Sequence, residues 1–201
     1  MTRMVLASAS PRRKALLSAL GLRFEVMVSN AEESFEGDPE TMVTANARAK
    51  RDDVAARIDL PAVVIAADTL VFLGKRVLGK PADAAEARAM LAALSGNTHQ
   101  VLTGLSVVDT ATGRTAEGSE CTDVTFRDLS SREIARFIEA VNPVDRAGAY
   151  TADGPGSLLI ARYNGCYQNV LGLPIVRLDG LLRGLGLSLF ALIDVSRCTF
   201  L

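Results

Sequence analysis

Pro61-Ala62-Val63-Val64-Ile65-Ala66-Ala67-Asp68-Thr69 is the stretch whose reading decides the fold. A proline stops whatever helix precedes it, and six apolar residues without polar alternation mark a strand buried on both faces. Such a strand belongs to an α/β sheet covered by helices. Asp68 follows the run at once, at the predicted C-terminal end of a central strand, where open α/β sheets place ligands and catalysis. A structural aspartate capping a turn is the plainer alternative.

Working back toward the N-terminus, Asp38-Pro39 starts a predicted helix to about Ile58, with Val43, Ala47, Val54 and Ile58 on one face. Lys50 shares that face. A lysine on an apolar stripe is costly unless its amine finds an anion, so it reaches toward phosphate or carboxylate, or snorkels to solvent. The preceding Glu32-Glu33-Ser34-Phe35-Glu36-Gly37-Asp38 is an acidic loop, either simply solvated or a source of oxygen ligands for a hard cation. Residues 23–28 alternate like a strand. Before them, Val5-Leu6-Ala7 gives way to Ser8-Ala9-Ser10-Pro11-Arg12-Arg13, a helix start with Ser10 as cap, Pro11 in the first turn and Leu16, Leu17 and Leu20 inside. Free N–H groups, the helix dipole and two guanidiniums there favour a phosphate, although an ordinary capped surface helix has the same local sequence.

Toward the C-terminus, residues 70–73 and 76–78 read as a hairpin around Gly74-Lys75, delivering Gly79-Lys80-Pro81. A lysine between glycine and proline has a restrained backbone suited to a fixed phosphate contact. Asp83 with Glu86, and Ser130 with Glu133, open two capping-box-like helices, the first with Ala84, Ala87, Met90, Leu91 and Leu94 as its face. Between them lie strands over 98–109 and about 114–126, with His99 read as a structural histidine. Residues 145–156 are rich in glycine and poor in large apolar groups, which predicts a substrate-facing loop or a plain connector. Residues 157–163 and 166–171 read as a hairpin turning at Asn164-Gly165. A last helix carries Leu178, Leu181 and Leu182, and an apolar tail from about 185 to 201 packs in the core or forms a homodimer contact.

The chain has 201 residues, 49% of them hydrophobic, enough for one domain or for two lobes sharing a sheet. Its 22 basic and 23 acidic residues nearly cancel, so nothing global favours nucleic acid or an anionic membrane. The tail is too short to span a bilayer. Cys121, Cys166 and Cys198 show no metal-ligand spacing, which points to a reducing, cytoplasmic setting with neither disulfides nor zinc.

Taken together, these segments resemble the Maf proteins, nucleoside triphosphate pyrophosphatases first named for an association with septum formation. The resemblance rests on residues 6–13, Glu32-Glu33, Ala49-Lys50, Ala67-Asp68-Thr69, Gly79-Lys80-Pro81, residues 95–101, 123–127, 147–150 and 170–174, in the family's order, over residues 4 to 183. It implies an α/β fold with an elongated mixed β-sheet flanked by helices, two lobes of a single domain and a cleft between them. The implied reaction cleaves a nucleoside triphosphate between its α and β phosphates, giving monophosphate and pyrophosphate with a divalent cation, Mg2+ or Mn2+. By the same resemblance Asp68 is the proton acceptor and Glu33, with Asp68, a metal ligand; Lys80 joins them as catalytic. Ser8, Ser10, Arg13 and Lys50 bind the phosphates. Arg12 and Thr69 look like the subgroup acting on dTTP and UTP. Asp153 departs from that subgroup's usual glutamine and, when ionised, only accepts hydrogen bonds. A nucleotide-binding regulator of division without turnover, a pyrophosphatase for modified nucleotides, and a phosphatase releasing single phosphates are the competing readings. Two carboxylates set against a triphosphate favour catalysis.

Overall fold

A computed structural model describes residues 2–35 and 37–199; Glu36 of the acidic loop and the last two residues of the tail lie outside that range. In chain order the main elements are β1 (Met4–Leu6), α1 (Pro11–Ala19), β2 (Glu25–Val26), α2 (Pro39–Ala55), β3 (Val63–Leu73), β4 (Arg76–Leu78), α3 (Ala84–Leu94), β5 (Thr98–Asp109), β6 (Arg114–Phe126), α4 (Ser131–Val141), β7 (Ile160–Asn164), α5 (Tyr167–Val170), α6 (Ile175–Gly184) and α7 (Leu189–Leu192). Among the described residues the strands form one seven-stranded mixed sheet in the order β2-β1-β3-β5-β6-β7, with β4 paired to β3, and helices flank it. β1 runs parallel to both β2 and β3, whereas β4 and β7 pair antiparallel with β3 and β6.

The chain divides into two compact units. The first comprises the described residues of Met1–Asp68, Thr103–Glu120 and Gly172–Leu201. Its core joins Val5, Val64 and Ala66 of the sheet, and Ala7 just beyond β1, to Val54 of α2. Gly104 is what lets α2 sit down on β5, because a Cβ there would fall on the carbonyl of Val43. Neither backbone can yield cheaply, so Gly104→Ala is expected to cost about 3 kcal/mol, roughly 10 °C in Tm, as read by thermal unfolding. The tail packs on its own unit: Arg23 pairs with Asp194 at 2.8 Å, and the Thr199 N–H donates to the Ala19 carbonyl. Leu185 and Leu189 are buried there, while Phe190 and Val195 face solvent.

The second unit comprises Thr69–Leu102 and Cys121–Leu171. Its core sets Leu91 and Leu94 of α3 and Phe137 of α4 against Val101, Val124 and Phe126 of the sheet. Ser130 and Glu133 form the predicted capping box, but at α3 Asp83 caps alone while Glu86 takes the Ala82 N–H, and Ala84 is exposed. His99 is structural, as its sequence position suggests. It is buried, its Nε2 is 2.8 Å from the Tyr150 hydroxyl, and its ring packs edge-on to Phe126 and Tyr150. Burial pulls its pKa down to about 4. The unfolded chain therefore binds the extra proton first, and stability falls as the pH drops from the ordinary histidine value of about 6.5 toward 4. Between about pH 7 and pH 4.5 the wild type is expected to lose about 2 kcal/mol more than His99→Gln, measured by urea unfolding.

Five sequence readings are corrected. The strand predicted over 23–28 is reduced to Glu25–Val26, since only these residues pair with β1, and α2 ends three residues before Ile58, which lies half-buried beyond it. The apolar run and the hairpin's first arm are one eleven-residue strand, so Asp68 sits mid-strand and not at its end. Residues 145–156 are not an open loop: Gly148, Ala149, Tyr150 and Ala152 are buried, with Gly148 pressed against Val71. No hairpin turns at Asn164-Gly165. A type I′ turn needs positive φ at both central residues, and only Gly165 has it. Beyond it the chain enters α5, held by Thr122, whose hydroxyl accepts the Cys166 N–H and donates to the Cys166 carbonyl.

Candidate active site

The first unit gathers most of the expected residues. β1 ends opposite Ile65, three residues before Asp68, and the Ala7 N–H still donates to the Ile65 carbonyl. β3 outlasts its neighbour, and the segment after β1 is left to turn into α1. Ser10 caps that helix, its Oγ accepting the Arg13 N–H, and Pro11 opens it. Buried Ser8 accepts from the Ser10 N–H and, at 3.1 Å, from Arg13 Nη1; Arg13 Nε donates to the Gly172 carbonyl at 2.7 Å. The guanidinium is thus fixed before any ligand arrives. Burial lowers its pKa, with Asp68 and Glu33 pulling the other way and Arg12 adding to the fall. Arg13 therefore feels the other three charges, and as a guanidinium it stays cationic near neutral pH.

Lys50 is the hub. Its Nζ donates to Asp68 Oδ1 and to Glu33 Oε1, each at 2.6 Å, and its side chain is only 14% exposed against 5% for Asp68. Of the alternatives left by the sequence, the amine takes carboxylate. Asp68 Oδ2 accepts from Asn46 Nδ2 at 3.0 Å, so both oxygens of this buried carboxylate have a donor. Sequence reading missed Asn46. Its signal was present: a polar residue four positions before Lys50 on the helix, which places both on one face. Also missed was a second cluster, in which buried Arg51 of α2 meets Ser106 of β5 and Glu117 of β6, with Arg48 sharing Glu117.

Two carboxylates sharing one ammonium mark a place that favours cations. A hard divalent ion commonly takes one or two carboxylates and completes its shell with phosphate oxygens and water, so Glu33 and Asp68 fit such an ion. Among the described residues no group of three or more His, Cys, Asp or Glu side chains stands ready to hold a metal.

The remaining expected residues belong to the second unit. Thr69 is half-buried on β3; Lys80 follows β4 and is exposed, with Pro81 buried behind it. Asp153 is exposed and accepts a hydrogen bond from the Thr151 hydroxyl. Its charge also raises the pKa of Tyr163 and Tyr167, whose rings meet edge-on at 5.4 Å, although burial is the larger cause in both.

A family model described as Maf-like protein matches residues 3–185. The chain belongs to the Maf family. Among curated Maf relatives, a protein from Alkaliphilus oremlandii named dTTP/UTP pyrophosphatase is 46% identical over 185 residues, 91% of this chain and 96% of its own length. Proteins of the same name from Clostridium perfringens and Desulforamulus reducens are 41% and 42% identical; the alignments cover 88% and 94% of this chain and 93% and 100% of theirs. No helix among the described residues is long and apolar enough to cross a membrane.

Proposed function

We propose that this chain is a nucleoside triphosphate pyrophosphatase that hydrolyses dTTP and UTP to the monophosphate and pyrophosphate. The observation that carries the reading is the buried Asp68 carboxylate held by Lys50 and Asn46 and electrostatically coupled to Arg13 at the start of α1. The family and its similarly named relatives support it.

Water must attack phosphorus while negative charge grows on the leaving pyrophosphate. Asp68 orients the water and takes its proton. Lys50 keeps that carboxylate aimed, and afterwards faces the same anionic centre. Arg13, Ser8, Ser10 and the N-terminal N–H groups of α1 bind phosphate oxygens, the helix dipole adding to the guanidinium charge. Glu33 and Asp68 would hold a divalent cation, Mg2+ or Mn2+, which when bound supplies charge neutralisation at the phosphates. Lys80 is assigned to the phosphates, and Arg12, Thr69 and Asp153 to base selection. An acceptor at 153 suits the N3–H donor that uracil and thymine carry and cytosine lacks. We read the chain as one domain with residues 185–201 as its tail, and we place it in the cytoplasm, where free nucleotides are its substrates.

The test is product analysis across a nucleotide panel with Mg2+ or Mn2+. Monophosphate and pyrophosphate in equal amounts, fastest from dTTP and UTP, is the expected result. Binding without turnover of any nucleotide would instead make the chain a nucleotide sensor.

A further inference from the structure

Asn46 does more than hydrogen-bond Asp68. The residue is 2% exposed, and each end of its amide is used. Oδ1 accepts the Ser34 N–H at 2.8 Å, and Nδ2 donates to the Ser34 carbonyl and to Asp68 Oδ2, both at 3.0 Å. Ser34 follows Glu33 in the chain, and Glu33 is tied back to Asp68 through Lys50. The contacts close a ring: Asp68, Lys50, Glu33, the Ser34 backbone, Asn46 and Asp68 again. Glu33 otherwise rides on exposed chain, with Glu32, Ser34 and Phe35 all facing solvent. An exposed loop of this kind holds no geometry by itself.

We infer that Asn46 is a positioning residue that fixes Glu33 and Asp68 relative to each other, by bonding Asp68 directly and the Glu33 loop through both backbone groups of Ser34. This rests on the pyrophosphatase reading for its kinetic consequence and on the geometry alone for its structural one. An amide is the side chain that suits this place, because it must accept one hydrogen bond and donate two. Aspartate has the same size and can still accept the Ser34 N–H. Its second oxygen, however, would take the place of Nδ2 and face both the Ser34 carbonyl and the Asp68 carboxylate. Leucine keeps the branched outline at a larger volume and removes every side-chain hydrogen bond.

The experiment compares wild type, Asn46→Leu and Asn46→Asp in three readouts: steady-state kinetics on dTTP, thermal unfolding, and the rate of chymotrypsin cleavage after exposed Phe35 under native conditions. The inference expects kcat to fall roughly 30-fold in the leucine variant and further in the aspartate variant, with KM within about threefold, because the loss is of alignment and not of phosphate binding. Cleavage after Phe35 is expected to quicken at least fivefold in both, through local opening of the released loop. A merely shape-filling residue would give the opposite ranking, with aspartate close to wild type. That ranking, or cleavage at the wild-type rate in both variants, overturns the inference. Should wild type turn over no nucleotide, the pyrophosphatase reading falls, and the cleavage rates still decide the clamp.

Discussion

Asp68→Asn is expected to lower kcat on dTTP by roughly a thousandfold while leaving the fold intact. The amide keeps the size of the side chain, and its single oxygen can still accept from Lys50 while Asn46 keeps the Ser34 carbonyl as its acceptor, but it cannot take a proton from water; general-base losses run from about a hundredfold to ten-thousandfold. Stability is expected to change by no more than about 1 kcal/mol, because Lys50 retains Glu33 as a partner at 2.6 Å and the asparagine buries no charge. Steady-state kinetics beside a thermal melt check both halves. Retained turnover in a folded variant would remove Asp68 from the mechanism.

Lys50→Met should fail in the opposite way, losing stability as well as rate. Methionine fills the same channel, so packing survives, but the Asp68 carboxylate is left 5% exposed without its closest cation. Breaking a buried ion pair by removing one partner costs roughly 3 kcal/mol or more. Arg13, coupled to the same carboxylate, offsets part of that cost. Turnover is expected to fall at least a hundredfold, since the ammonium that neutralises the anionic centre is gone. The contrast separates the two roles. The aspartate variant should be a stable, inactive enzyme, and the lysine variant an inactive one whose Tm is lower by roughly 8 °C.

Much of this site is legible in the amino-acid sequence. Asp68 stands out because an unbroken apolar run can only be a covered strand, and Lys50 because a lysine interrupts an apolar helical stripe. The strand end expected at Asp68 is nonetheless absent. β3 continues past it; what opens the site is that β1 stops at Leu6, a fact about the neighbouring strand that residues 61–69 do not encode. The Asn164-Gly165 signal fails for a similar reason. Its local chemistry favours a hairpin, but Thr122, more than forty positions away, captures both backbone groups of Cys166, and the described residues that follow form α5 in place of a partner strand. Residues 148–152 read as a loop because small residues carry little apolar weight. They are buried because Gly148 leaves room for Val71 and Tyr150 finds His99. Asn46 escapes notice although its spacing to Lys50 is visible, since an asparagine on a helix invites no chemistry until its partners are known.

The central claim is that Asp68 drives water onto a nucleoside triphosphate so that pyrophosphate leaves in one piece. The most direct measurement incubates wild type and Asp68→Asn with dTTP and Mg2+ and resolves the products by anion exchange. dTMP and pyrophosphate in equal amounts from wild type, with neither from the folded variant, is the predicted result; dTDP with inorganic phosphate, or equal yields from both proteins, would contradict it.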